Sequence, residues 1–178
     1  MKKFIFILAF TLLGVCVLKA QGPPPPPAGG NFATVGIRGG DATAHIIQPI
    51  EINKVADLRF GNIAAGPAAG AVVIATSGDR SSSGNVTLID AGDNSSAATF
   101  DLTGHPDAAF TISLPLSIMI ASGIYEMEVI DFESSLGDSS ILNNLGEASL
   151  KVGATLNVEA NQEPGFYTGS FDVTISYN

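Results

Sequence analysis

Residues 165–178 read GFYTGSFDVTISYN and contain the most regular alternation in the sequence. From Tyr167 onward the odd-numbered positions are mostly apolar or aromatic, whereas the even-numbered positions are polar. Because successive side chains of a strand point to opposite faces, this segment predicts a strand with one buried and one exposed face. We expect it to pair with the equally regular segment Ala148–Val158 just upstream, since a short turn joins the two.

The rest of the sequence is made of short alternating runs separated by turn residues. Roughly nine to ten strand candidates follow one another at intervals of about 8–15 residues, without a helical period beyond the first twenty residues. The candidates include Ile50–Val55, Phe110–Leu114 and Tyr125–Val129, together with Ala98–Thr103, which alternates weakly. Ala64–Gly70 (AAGPAAG) and Ser77–Asn85 are expected to be connections. The pattern predicts an all-β fold, an antiparallel immunoglobulin-like or pilin-like β-sandwich of roughly 8–10 strands.

The first 20 residues predict an export signal that is separate from the fold. Lys2 and Lys3 precede the apolar run Phe4–Val17, and a small residue stands at Ala20. Residues 21–40 form a linker rich in proline and glycine, in which five consecutive prolines favour an extended spacer. The sandwich domain is expected over residues 41–178. We therefore expect an exported protein, located in the periplasm, at the cell surface or in the medium.

Composition narrows the classes of partner. The chain carries a net charge of −9, and loss of the three lysines of the signal would make it about −12. That balance disfavours nucleic acid as a partner. The single cysteine, Cys16, lies within the signal, so the mature chain has no disulfide and no thiol chemistry. No transmembrane segment is expected in the mature chain.

No catalytic, cofactor-binding or metal site is predicted. The two histidines, His45 and His105, lack partners at any spacing typical of metal ligation or acid–base work. Nucleophile elbows, phosphate-binding loops and calcium-loop spacings are also missing from the sequence. We expect a protein that is not an enzyme and that needs no cofactor.

Five short motifs follow one another in order between residues 58 and 178. They are Leu58-x-Phe60-Gly61-x-Ile63, Phe100-x-Leu102-x-Gly104, Ile112-x-Leu114-Pro115, Leu150-x-Val152-Gly153-Ala154-x-Leu156-x-Val158, and Gly165-x-Tyr167-x-Gly169-x-Phe171-x-Val173-x-Ile175-x-Tyr177-Asn178. Their order and spacing resemble domain-of-unknown-function family 4402, a family of exported bacterial domains. The resemblance implies a β-sandwich fold and an exported location, and it implies no mechanism.

The final segment is similar to a second group, the pilin-like subunits of chaperone–usher fimbriae and spore-coat-protein-U-like domains. Gly165 is the fourteenth residue from the end, and Tyr177 is the penultimate one. The resemblance implies that this strand receives an added strand, first from a chaperone and then from another subunit. The candidate interaction residues are Ala33, Val35 and Ile37 on the added strand and Gly165, Phe171, Val173, Ile175 and Tyr177 on the receiving one.

Two functions are consistent with these observations. The first is an exported structural or adhesive β-sandwich protein that acts through protein–protein or surface contacts, with self-association by strand exchange as one form of assembly. The alternative is a carbohydrate-binding module at the cell surface. Sugar-binding sites usually present exposed aromatic rings. The absence of tryptophan and the presence of only three tyrosines therefore favour the first function.

Overall fold

A computed structural model describes residues 38–92 and 94–178. The chain divides into two compact units, Met1–Thr43 and Ala44–Asn178. Of the first unit only residues 38–43 are described, and they are exposed and outside any strand. The predicted signal, most of the predicted linker and the candidate residues Ala33, Val35 and Ile37 lie outside the described residues.

The second unit contains ten strands, and all of their pairings are antiparallel. The strands are β1 (Glu51–Ala56), β2 (Asn62–Ile74), β3 (Arg80–Ile89), β4 (Ala98–Thr103), β5 (Ala109–Ser113), β6 (Ser117–Ser122), β7 (Tyr125–Ser134), β8 (Ser139–Ile141), β9 (Glu147–Val158) and β10 (Thr174–Tyr177). The predicted all-β sandwich is confirmed. Across residues 38–92 and 94–178, no helix is long and apolar enough to cross a membrane.

The strands form a seven-stranded sheet and a three-stranded sheet. Strand β9 is the centre of the larger one. Its Leu156 pairs with Val72 of β2 on one side and with Val129 of β7 on the other. Its other end pairs with β4, which is itself flanked by β1. The smaller sheet has the order β10–β5–β8, so β10 is an edge strand.

The predicted partner of the final strand was wrong. Thr174–Tyr177 pairs with β5, and Thr168 forms an isolated bridge with Ala121 of β6. Strand β9 instead pairs with β2, β4 and β7. Alternation identified the strand correctly, but it carries no information about which edge that strand joins.

Two segments predicted as connections belong to strands. Strand β2 runs through Ala64–Gly70, and β3 begins at Arg80, inside the predicted turn Ser77–Asn85. The β2–β3 pairing shifts register between Ala65 and Gly70. Pro67 lies in this irregular stretch, where a missing backbone N–H costs no ladder hydrogen bond.

The buried core has two clusters that differ in how they are covered. The closed half consists of Ala98, Phe100, Leu102, Phe110, Ile112, Leu142, Leu150 and Val152, contributed by both sheets and the loop after β8. The open half consists of Val72, Val86, Met127, Val129, Ala154, Leu156 and Val158. All of the latter come from the larger sheet. Among the described hydrophobic residues outside the strands, Leu58, Phe60 and Tyr167 pack against the open half.

Candidate interaction site along the tail

Residues 165–178, hereafter the tail, run antiparallel to β5 and then β6. At one end Asn178 donates its backbone N–H to the Ala109 carbonyl at 3.2 Å. At the other end Thr168 and Ala121 exchange two backbone hydrogen bonds of 3.0 and 2.9 Å. The tail therefore passes along both sheets with the same edge turned toward β5 and β6.

The pairing contains one irregularity, opposite the β5–β6 corner. Seven residues of the tail, from Thr168 to Thr174, lie opposite nine residues, from Ser113 to Ala121. The extra residues surround Pro115, which cannot donate a backbone hydrogen bond. Because the excess is in β5–β6, the alternation of the tail itself continues without a break.

Within the described residues, the edge of the tail that is turned away from β5 and β6 is unpaired. The bonded residues Thr168 and Asn178 are even-numbered, so Ile175 in β10 directs its N–H and C=O groups away from β5, and residues 169–173 belong to no strand. Among residues 38–92 and 94–178, no backbone group pairs with the outward groups of Gly169, Phe171, Val173 or Ile175. Such a row of free donors and acceptors is a template for another strand.

The side chains of the tail follow the predicted alternation, but they are not fully enclosed. Tyr167, Phe171, Val173, Ile175 and Tyr177 are half-buried, while the even-numbered residues between them are exposed. Phe171 contacts the ring of Phe100 edge-on at a centroid distance of 6.4 Å. Each of these side chains therefore keeps part of its surface accessible.

A groove of about 730 Å³ lies beside the first half of the tail. Its apolar floor is formed by Ile118, Ile120, Met127, Val129 and Leu156, which all belong to the larger sheet. Residues 165–171 border it on the tail side, and residues 56–63 border it as well. The groove therefore occupies the open half, next to the stretch of tail whose outward backbone groups are free.

Arg80 holds the segment 56–63 in place. Its side chain is only 6% exposed, and one guanidinium nitrogen donates to the backbone carbonyls of Phe60 and Asn62, at 3.2 Å each. A second nitrogen lies 3.3 Å from the carboxylate of Asp90, which is 96% exposed. Since both carbonyls belong to groove-lining residues, this buried arginine fixes one border of the groove.

The same border carries a small cluster of charges. Lys54 Nζ lies 2.7 Å from Asp57 Oδ1, and Arg59 Nη2 lies 3.4 Å from Asp57 Oδ2. The hydrogen bond from Lys54, followed by its charge and by the hydrogen bond from Arg59, lowers the pKa of Asp57 below its ordinary value of 3.8. All three side chains are at least half exposed, so the cluster contributes charge at the rim rather than rigidity.

Two glycines allow the tail to lie where it does. A Cβ on Gly169 would come within 2.8 Å of the Met119 backbone carbonyl, so only glycine lets the tail approach β6 this closely. A Cβ on Gly104 would come within 2.3 Å of the Tyr177 hydroxyl. These contacts explain why the predicted motifs contain glycine at both positions.

Tyr177 fastens the end of the tail. Its hydroxyl accepts a hydrogen bond from the His105 backbone N–H at 2.6 Å and donates one to the Gln48 carbonyl at 2.9 Å. A single phenol thus joins the turn after β4, the segment before β1 and the last strand. The penultimate tyrosine is therefore an anchor for the receiving strand, at the opposite end from the groove.

The predicted receiving residues all lie in the tail, but they contact different parts of the structure. Gly165 and Phe171 border the groove, whereas Val173, Ile175 and Tyr177 pack against the closed half. The proposed added residues, Ala33, Val35 and Ile37, lie outside the described residues.

Three structural observations define the class of protein: an antiparallel β-sandwich, one open tail edge and an apolar groove beside that edge. The chain belongs to the family described as Domain of unknown function (DUF4402), whose model matches residues 50–177. The match covers β1 to β10 and includes both borders of the groove. No curated protein and no solved structure matched the chain.

Proposed function

We propose that this protein is an exported structural or adhesive β-sandwich protein that assembles by accepting an added strand along the open edge of its tail. The observation that carries the proposal is the coincidence of free outward backbone groups at residues 169–175 with the apolar groove beside residues 165–171. The role is one of binding, not catalysis.

The two features have different parts in the binding. Each backbone hydrogen bond contributes about 0.5–1.5 kcal/mol net, which is comparable to the roughly 1–2 kcal/mol lost on ordering one residue of the added chain. Backbone pairing alone therefore contributes a free energy of binding that is close to zero. Burial of a valine or isoleucine side chain adds about 1.5–3 kcal/mol, so the groove decides both affinity and sequence preference.

The added strand that fits best is the segment Asn31–Ile37 of a second copy. It reads NFATVGI, with Ala33, Val35 and Ile37 alternating with Thr34 and Gly36. In a strand these three apolar side chains share one face. They would enter the groove over Ile118 and Met127, while the backbone pairs with the tail. The polyproline spacer before the segment would keep it at a distance from the preceding chain.

Export is part of the proposal and is supported by the amino-terminal sequence. Lys2 and Lys3, the apolar run and Ala20 have the order of a secretory signal. Detection of a mature chain beginning at Gln21 outside the cytoplasm would support this part. A chain recovered uncleaved from the cytoplasm would contradict it.

Light scattering on residues 21–178 tests the assembly. We expect oligomers whose size increases with protein concentration, and monomers after deletion of Asn31–Gly39. The double variant Val35→Asp/Ile37→Asp should also be monomeric, because two carboxylates would have to enter an apolar groove. The matched control, Thr34→Asp/Gly36→Asp, alters the opposite face and should still assemble. Monomers in every case would contradict the proposal.

Disulfide trapping locates the contact, because the mature chain has no cysteine of its own. Chains carrying Val35→Cys and chains carrying Ile118→Cys should form a mixed dimer on oxidation, since Ile118 lies in the groove. Leu116→Cys is the control, because Leu116 is 93% exposed and is not among the groove residues. Equal trapping at both positions would indicate random collision and would contradict binding in the groove.

The carbohydrate-binding alternative has weaker support. The Tyr167 hydroxyl is engaged by Gln162 and by the Glu163 carbonyl, and the Tyr177 hydroxyl is engaged as described above. Both rings are half-buried, which leaves little flat aromatic surface for a sugar. A glycan array with specific hits that are lost in Tyr125→Ala, the remaining tyrosine, would favour the alternative over strand addition.

A further inference from the structure

The two histidines lie beside each other although they are sixty residues apart in the chain. The ring centroids of His45 and His105 are 5.8 Å apart, and the rings are nearly perpendicular, with an interplanar angle of 77°. His45 is exposed and His105 is half-buried. Sequence spacing gave no indication of this pair, because neither residue lies in a strand and the contact depends on the folding of the segment before β1.

The ring nitrogens of both residues are available. Among the described residues, the His45 and His105 side chains have no hydrogen bond or ion pair, and their contact with each other is the interaction that the structure gives them. A neutral imidazole carries one nitrogen lone pair in its plane, and that lone pair is the usual protein ligand for transition-metal ions.

The Tyr177 phenol holds the backbone of His105 and a residue close to His45. Tyr177 accepts a hydrogen bond from the His105 N–H and donates one to the carbonyl of Gln48, three residues after His45. The Ala108 N–H also donates to the His105 carbonyl, at 3.3 Å, which closes the turn. Tyr177 thus holds the His105 backbone and a point three residues from His45.

We propose that His45 and His105 form a two-histidine site for a divalent transition-metal ion, with Zn²⁺ as the probe. Two imidazoles on one tetrahedral zinc, at Zn–N distances of about 2.0–2.1 Å, place their ring centroids about 5.2 Å apart. The observed centroid separation of 5.8 Å is close to that value.

The number of protein ligands at the site determines how tightly we expect it to bind the metal ion. Within the part of the chain that the structure describes, no group of three or more His, Cys, Asp or Glu side chains could hold a metal. Water would complete the coordination, which makes the site open and reversible, unlike the closed four-ligand sites that hold structural zinc. A bound ion would tie the segment before β1 to the turn that anchors Tyr177. The site is independent of strand addition.

Isothermal titration calorimetry with zinc chloride and untagged protein, residues 21–178, tests the site. We expect one zinc ion per chain at about pH 7.5 and at least tenfold weaker binding at about pH 5, because a protonated imidazole cannot ligate. His45→Phe and His105→Phe should each weaken binding at least tenfold while preserving a ring-on-ring contact. Asp107→Asn, a neighbouring carboxylate variant, should change the affinity less than twofold.

Three results would overturn the proposal: no zinc binding by the unaltered protein, unchanged binding in either phenylalanine variant, or more than one equivalent of zinc with no dependence on the histidines. Thermal melting in excess zinc supplies a second measurement. The melting temperature should rise in the unaltered protein and in Asp107→Asn, and it should stay constant in both phenylalanine variants. A zinc-dependent rise in His45→Phe would contradict the site even if calorimetry were ambiguous.

Discussion

The closed and open halves of the core share the central strand and differ in what lies above it. Leu150 and Leu156, both on β9, are equally inaccessible at 0% and 2% exposure. The cluster of Leu150 includes residues of the three-stranded sheet, whereas among the described residues the cluster of Leu156 is joined from outside its own sheet by Leu58, Phe60 and Tyr167. One sheet thus supports a complete sandwich at one end and an incomplete one at the other.

This difference in covering gives the two halves of the core different roles, one in the stability of the fold and one in the binding of a partner. Where a second sheet is present, the facing side chains interdigitate and the core is closed. Where it is missing, the same kind of apolar floor borders a groove with a strand edge beside it. We infer that the closed half keeps the chain folded and that the open half is the part available to another strand. The variants below test that division, in order of expected effect.

Truncation in the closed half should have the largest effect. Phe110→Ala removes a ring that is 0% exposed, and it should lower the free energy of unfolding by about 3–5 kcal/mol in urea denaturation. The open-half counterpart, Ile118→Ala, should cost less than about half as much, since Ile118 is only half-buried. Ile118→Ala should nevertheless reduce assembly more than it reduces stability. Equal losses of stability would contradict the division.

Removal of the tail anchor should have the next largest effect. Tyr177→Phe deletes the hydroxyl that bonds the His105 N–H and the Gln48 carbonyl, which should lower the free energy of unfolding by about 2 kcal/mol. Tyr125→Phe is the matched control, because the Tyr125 side chain is 45% exposed and its hydroxyl has no hydrogen bond among the described residues. A similar loss in both variants would show that the anchor has no special role.

Loss of the buried guanidinium should loosen the groove. Arg80→Met leaves the carbonyls of Phe60 and Asn62 without their donor, and it should cost about 1–2 kcal/mol and weaken assembly. Arg59→Met, at an arginine whose side chain is 51% exposed, should change stability little. Urea denaturation and light scattering on both variants measure the two effects. Assembly that is unaffected by Arg80→Met would show that this border does not shape the site.

Substitution of Asp57, the carboxylate at the border of the groove, should have the smallest effect on stability. The lowered pKa of Asp57 means that its ion pairs stabilise the fold above pH 3.8, and that this contribution disappears as the pH falls through the lower folded-state value. Asp57→Asn should therefore lose slightly more stability at neutral pH than at acid pH, as measured by thermal melting. A larger loss at acid pH would contradict the assigned direction.

The sequence predicted the elements better than their arrangement. Alternation located β4, β5, β7 and β9. These features are local, because the side-chain period of a strand does not depend on its neighbours. The Ala64–Gly70 part of β2 was missed because it has small residues and a proline instead of an alternating pattern.

Only part of the candidate site was predictable from the sequence, because alternation is local and carries no information about contacts between distant residues. The tail and its tyrosine stand out in the sequence because they alternate, and Gly104 and Gly169 belong to recognisable motifs. The strand that pairs with the tail, the carbonyls held by Arg80 and the histidine pair all depend on contacts between distant parts of the chain. Arg80 did leave one signal, since it is one of three arginines in the sequence and lies in an otherwise small, polar stretch.

Amide hydrogen exchange on the tail tests the central claim most directly. In a variant lacking Asn31–Gly39, the outward amides of Phe171, Val173 and Ile175 should exchange fast, while the amides of Thr168 and Asn178, bonded to Ala121 and Ala109, exchange slowly. Addition of a peptide with the sequence of residues 31–37 should then slow the odd-numbered amides selectively. Outward amides that are already protected without the peptide, or that remain unchanged with it, would contradict the account.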